Sequence, residues 1–448
     1  MTRHVVARLP RDTGVSGWEA ISTRHFPVRV LDQDVTADWL IIGAGFAGLS
    51  AARRLTQLRP GERIVILDAS EVAKGPSGRN SGFMIDVPHN LSSSEYSVSD
   101  AKGAVREIAQ NRFAIGFAAD AAKEYGMTPS IFDQCGKINA AASERGVCHN
   151  EKYACSLKEI DESYRIIDRE EMRRITGSDY YLSGLFTPGA AIIQPADYIR
   201  HFASGLLDKV ELFEDSPVIE LENERGLWCA RTPRGSVSAP KVILGVNGHV
   251  QNFGHFRGRL LHIFTYASMT EAFAADRFQS NATGVDDWAL LPADPMGATI
   301  RKITTNGLSR IVVRTRFTYD PSMMVSEQRV ASIAQQQRRS LDARFPELDN
   351  VGMEYRWAGR LCLSRNSVPA FGEIEKGLFS ACCENGLGTV KSTLAGIMAA
   401  DLATDTPSPQ LDDFTNQKPP SWVPPQPFAW VGVNAVIRWH ERKAGREM

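Results

Sequence analysis

Gly43-Ala44-Gly45-Phe46-Ala47-Gly48 spells G-x-G-x-x-G, and Asp68 follows 20 residues after the last of these glycines. The three glycines have separate uses. Gly43 permits a tight turn, Gly45 lets a pyrophosphate approach the backbone, and Gly48 lets the following helix pack closely on a strand. The helix N-terminus adds unpaired N–H groups and the positive end of its dipole. Asp68, with Ala69 beside it, can accept hydrogen bonds from ribose hydroxyls, and an acid there disfavours a 2′-phosphate. The chemistry is dinucleotide binding without NADP; NAD and FAD both remain open.

A second glycine turn narrows that choice. In "ENGLGTVKST", residues Gly386, Leu387, Gly388 and Thr389 follow the apolar run "LFSACC" and open an apolar helix. A nicotinamide enzyme has no need of this second helix N-terminus. A flavin enzyme does, because reduced flavin is negative near N1 and the C2 carbonyl. Lys391-Ser392 is not a P-loop, since Val390 stands where that loop needs glycine. A third stretch, "KGPSGRNSGFM" at 74–84, has loop composition, yet Ser77, Gly78, Arg79, Asn80, Ser81 and Gly82 offer donors to whatever the glycine turns hold.

The elements that must position these residues are legible in part. "WLIIG", "FAGLSAARRLTQL" and "RIVILD" read as strand, helix and strand around Gly61. Helices are predicted over 100–125, 195–207, 326–346 and the segment after Thr389, with a short one at the C-terminus. Strands are predicted in "VELFED", "SPVIELENE", "LWCARTP", "KVILGVNG", "LLHIFTYASMTEAF", "ATIRKIT" and "RIVVRTRF". Residues 130–190 read as short strands and loops. The return of buried-type strands after each insertion predicts an α/β chain. A Rossmann-like unit (βαβ, parallel sheet) comes in three parts, 36–98, 194–252 and 355–405. A mixed or antiparallel-sheet substrate unit, 99–193 and 253–354, interrupts it, and 406–448 form a tail.

Composition excludes several classes. The net charge of −1 in 448 residues gives no basic excess for nucleic acid. No apolar run suits a signal peptide or a membrane span. Seven irregularly spaced cysteines read as reduced thiols, hence a cytoplasmic protein. Cys148-His149 and His249/His255/His262 lack metal-ligand spacing, so no metal is expected.

The ordered set G-A-G-F-A-G, "SGRNSG", "AIIQPADYIRHFASGL", "KVILGVNGHV", "WAGRLCLSRNSVPAFG" and "ENGLGTVKST" resembles the FAD-dependent D-amino-acid-oxidase-like superfamily, which includes sarcosine and glycine oxidases. The loop and the tail "PPSWVPPQPFAWVG" look most like its gamma-glutamylputrescine-oxidase-like amine oxidases. The resemblance implies FAD held by Gly43, Gly45, Gly48, Asp68 and residues 77–82. It also implies an adenine contact at Val218, cofactor contacts at Asn247 and Gly248, and the flavin pyrimidine ring at Gly386–Thr389. The implied reaction oxidises a primary or secondary amine by hydride transfer to flavin N5. O2 then reoxidises the flavin to give H2O2, and the imine hydrolyses.

Departures from the family pattern limit the substrate. Aligned on Gly359, the expected carboxylate-gripping arginine falls on Leu361; Arg360 is one residue off, which in a strand turns it to the other face. Cys362 lies three residues from the position of the family's flavin-linking cysteine, so FAD is expected to be non-covalent. Pocket candidates are Tyr266, Arg301, Trp357, Glu384 and Met84, with Arg314 and Arg316 as further carboxylate ligands and Glu384 as a partner for a substrate ammonium. Two alternatives stand beside amine oxidation by O2: a dehydrogenase passing electrons to a carrier or quinone, and a non-catalytic dinucleotide-binding regulator.

Overall fold

The computed structural model describes residues 2–88, 100–274 and 287–448. Its first organising layer is a six-stranded sheet among the described residues. The order is Glu211–Phe213, Ile64–Leu67, Trp39–Ile42, Lys241–Leu244, Leu378–Cys382 and Ala370–Glu375. The first five run parallel and the last antiparallel. Strands with both faces covered must be apolar throughout, as "WLII" and "IVIL" are. The pleat then sorts them. Trp39, Ile41, Ile64, Ile66 and Ile243 face the helices, while Leu40, Ile42, Val65, Leu67, Val242 and Leu244 face a second sheet carrying Trp228 and Val237.

On the helical face lie Phe46–Leu58, Pro195–Leu206 and Gly388–Ala403. The small residues of the last one are used as their types suggest. A Cβ on Gly396 would stand 2.1 Å from the Ala47 carbonyl oxygen, so the two helices that open on glycine turns touch backbone to backbone.

The second unit is built on a large sheet, ordered Met353–Ser364, Leu260–Thr270, Leu308–Tyr319, Thr299–Thr305, Trp288–Pro292, Lys137–Ala141, Ser183–Thr187 and Arg165–Ile167. Met353–Ser364 is its edge strand, paired with Leu260–Thr270 from Leu260↔Ser364 onward, so residues 355–364 belong to this sheet and not to the six-stranded one. Residues 130–190, read as strands and loops, also hold the helices Glu144–Glu159 and Arg169–Thr176. Each is capped by a side chain from just before it, Ser143 and Asp168. The chain ends pack on this frame. Thr2–Val5 pairs antiparallel with Glu220–Glu224, the chain after it bonds through Asp12 to Arg360 and through Trp18 to Asn80, and Phe428–Ala444 lies against Leu308–Tyr319, where Glu441 accepts the Phe317 N–H at 2.9 Å.

Among the described residues no helix is long and apolar enough to cross a membrane, and all seven cysteines are free thiols.

Candidate active site

The two glycine turns and the 74–84 loop meet at one cleft with two joined chambers. The first is lined by Gly43, Ala44, Gly45, Ala47, Asp68, Ala69, Val218 and Gly248. The second is lined by Arg79, Asn80, Ser81, Phe83, Gly386, Leu387, Gly388 and Thr389. Phe46, Ser77, Asn247, Arg360, Leu361, Glu384 and Ser392 border both, so the chambers are continuous.

The first chamber is a cradle that side chains would fill. Gly43 sits at φ +104°, and a Cβ there would lie 2.6 Å from the Gly245 oxygen; on Gly45 it would lie 2.6 Å from Ser77 Oγ, and on Gly48 1.8 Å from the Gly43 oxygen. Asp68 accepts the Ala44 N–H at 2.7 Å and the Ser70 N–H at 3.0 Å, which orients its carboxylate along the turn. Burial raises its pKa, against the pull of these bonds. Asn247 holds a left-handed backbone at φ +49°, and its buried Oδ1 has no hydrogen-bond partner. A buried acceptor without a donor is costly, and one facing the cleft is a place for a ligand donor. This geometry fits an extended dinucleotide.

The loop explains itself through its carbonyls, which are pinned in succession. Ser16 Oγ donates to Gly78 O at 3.1 Å, Trp357 Nε1 to Arg79 O at 3.0 Å, Trp18 Nε1 to Asn80 O at 2.9 Å and Arg301 Nη1 to Ser81 O at 2.9 Å. The Ile193 N–H donates to Gly82 O at 2.8 Å. Asn80 closes an Asx-type turn by accepting the Gly82 N–H at 2.8 Å. Ser77 Oγ is thereby carried over the helix start, where it accepts the Phe46 N–H at 3.4 Å.

This arrangement redistributes the expected site residues. Arg79 is buried and donates to the carbonyls of Lys74, Thr13, Ala358 and Gly14. It ties three segments together, its own loop, residues 13–14 and the strand at Ala358, and a buried guanidinium with carbonyl partners needs no anion. Arg301 and Trp357 hold the loop from behind and do not line the cleft. Tyr266 is buried with its hydroxyl on Thr318 Oγ1 at 2.6 Å, and Met84 is a fully buried strand residue paired with Ala191; neither reaches either chamber. Gly78 and Gly82 are required for close approach to Ala73 and Arg301, behind the lining. Arg316 pairs with Glu441 at 2.6 Å, on the terminal helix. Arg360 is shared between Asp12, at 2.7 Å, and His249.

Glu384 and Arg314 do reach the cleft, the latter beside Thr265, Leu291 and Gly359. Glu384 is 4% exposed, and burial raises its pKa to about 7, with a Ser392 hydrogen bond opposing. Sequence reasoning missed the N-terminal segment, of which Val6, Arg8, Leu9, Pro10 and Asp12 cover the first chamber. No periodicity or motif marks it.

A family model described as FAD dependent oxidoreductase matches residues 38–402. The chain belongs to this DAO family of FAD-dependent oxidoreductases. It is 26% identical over 427 residues to the "probable oxidoreductase OrdL" of Haemophilus influenzae, covering 89% of this chain and 90% of that one. With the gamma-glutamylputrescine oxidoreductase of Escherichia coli it is 23% identical over 424 residues, covering 90% and 91%. Among solved structures, the fold is similar to glycine oxidase from Geobacillus kaustophilus (TM-score 0.69, 17% identity, 85% of this chain and 98% of that chain). It is also similar to L-proline dehydrogenase from P. horikoshii (TM-score 0.63, 16% identity, 86% and 97%). The family's cofactor is the one the cradle fits: FAD.

Proposed function

We propose that this chain oxidises a primary or secondary amine to an imine, with O2 as electron acceptor and non-covalent FAD. Relatives named for gamma-glutamylputrescine, glycine and proline chemistry support the substrate class. The observation that carries the reading is the joined cleft. One chamber has the glycine cradle for the dinucleotide, and the other places a buried carboxyl, Glu384, beside the Gly386–Gly388 turn.

Bound FAD would supply a two-electron acceptor for the hydride of the amine carbon, and O2, with that hydride's electrons and hydrogen and one further proton, would leave as H2O2. The protein's part is orientation and electrostatics. The unpaired N–H groups opening Gly388–Ala403 favour negative charge at the second chamber. Glu384, close to neutral pH in its titration, accepts an N–H from the substrate ammonium and takes its proton. Phe46, Phe83, Leu291 and Leu361 keep the amine carbon dry. Water then adds to the imine and releases a carbonyl compound. Non-covalent attachment is supported by Cys362. It lines the second chamber, but burial and its neighbour Cys383 hold its thiol well above the ordinary range, so the nucleophilic thiolate is disfavoured.

The test is spectroscopic. The purified protein is yellow or becomes so with FAD, and anaerobic screening of amines finds one that bleaches the band at about 450 nm. Peroxide then forms stoichiometrically in air. Flavin that no amine bleaches sinks the reading; bleaching without peroxide replaces the oxidase with a dehydrogenase.

A further inference from the structure

Away from the cleft, three residues distant in sequence converge. His4 lies on the strand Thr2–Val5, His255 follows the turn Asn247–Phe253, and Glu375 ends the strand Ala370–Glu375. One ligand atom from each lies within 4.8 Å of the other two. His4 Nε2 is 2.7 Å and His255 Nε2 3.6 Å from the same oxygen, Glu375 Oε1. Both Nε2 atoms are buried, and neither makes a hydrogen bond of proper angle, His4 included despite its short distance. Two imidazole nitrogens and a carboxylate oxygen so placed surround one point. Tetrahedral zinc keeps ligand atoms about 3.3 Å apart, a spacing these atoms reach with shifts of roughly 1 Å or less.

The surroundings fix the ligands. His4 stacks on Trp228 with ring centroids 6.2 Å apart, and Trp228 Nε1 donates to Lys376 O at 3.1 Å. Gly254, at φ +99°, lets the chain pass beside His4 Nδ1.

We propose that His4, His255 and Glu375 bind one divalent ion of the zinc class, which pins the N-terminal strap at its root. Two imidazoles and one carboxylate leave a fourth position for water and suit a borderline-soft cation over calcium or magnesium. The strap that begins at His4 continues through Val6, Arg8, Leu9 and Pro10 over the first chamber, so the ion would hold down the cover of the cofactor cleft.

The experiment uses the full-length, FAD-loaded protein, stripped with chelator and dialysed. Titration with Zn2+ alone gives one site per chain, and Co2+ in its place gives the visible absorption of a four-coordinate site. His255→Ala and His4→Gln each weaken binding roughly 100-fold while the flavin spectrum is unchanged. Trypsin cuts the exposed Arg8 and Arg11 more slowly with Zn2+ than without, in the parent only. The proposal is overturned if the parent binds no Zn2+ at micromolar concentration, or if the variants bind it equally well. The titration on the parent stands by itself should either variant fail to fold.

Discussion

A carboxyl group buried in the wall of the cleft must answer to pH. Glu384 titrates near 7 when folded, against 4.5 for an ordinary glutamate. Between those values the folded state keeps a proton that the unfolded chain gives up, so stability falls as pH rises through this window. Below about 4.5 the group contributes no such cost; above about 7 the cost is complete, on the order of 3 kcal/mol. Glu384→Gln, which carries no charge, should therefore match the parent in thermal melting at pH 4.5 and exceed it increasingly up to pH 8. A constant difference across that range would show that the carboxyl is already paired. The same substitution should slow amine-dependent bleaching most at high pH, where the parent carboxylate is ready to take a proton. Arg314 is the complementary charge on the chamber wall. Arg314→Gln is expected to raise KM about tenfold for an amine bearing a carboxylate, worth about 1.4 kcal/mol, and to leave a carboxylate-free amine unaffected.

At the scale of elements, two helix glycines make opposite predictions. Gly396 faces Ala47 across the contact between the helices Gly388–Ala403 and Phe46–Leu58. A Val there has nowhere to go, because the obstacle is backbone rather than a side chain that can turn. Gly396→Val should cost about 3 kcal/mol in denaturant unfolding. Because both helices begin at the cofactor cleft, it should also lower FAD retention. Gly432, in the exposed run of Phe428–Ala444, has nothing within 4 Å of its Cβ position. Gly432→Ala should stabilise by about 0.5–1 kcal/mol, because only the glycine's excess unfolded-state freedom is removed. The contrast is legible from sequence in the first case, since Ala395, Gly396, Ala399 and Ala400 already mark a close-packing face. It is not in the second, where burial decides.

Over the whole molecule, what the sequence revealed and what it hid divide along one physical line. The glycine turns, Asp68 and the strands beside them were legible because their chemistry is local: a turn, a helix N-terminus, a pleat. Arg301 and Trp357 were placed in the pocket, and the long-range ties of Arg79, which does line the second chamber, were missed, because a donor's partner lies far along the chain, in these cases at Ser81, Arg79 and Thr13. The N-terminal strap was invisible for the same reason. It has no periodicity of its own and is ordered by what it covers. One of its ties to the rest is Asp12, whose carboxylate takes the Arg360 guanidinium at 2.7 Å; both side chains are largely buried, at 13% and 6% exposure. That pair joins the strap to the edge strand of the large sheet, across the cleft. A ligand that binds only the folded state stabilises it by RT ln(1 + [L]/Kd), about 2.7 kcal/mol at a hundredfold excess over Kd. If the strap closes the first chamber, Asp12→Asn should weaken FAD binding roughly tenfold or more, leaving a buried arginine without its counter-charge. The melting gap between FAD-loaded and FAD-free protein should then shrink at fixed FAD concentration, and raising FAD should restore it. An unchanged gap with an equally lowered melting point in both forms would make the Asp12–Arg360 pair a structural tie that does not report to the cofactor.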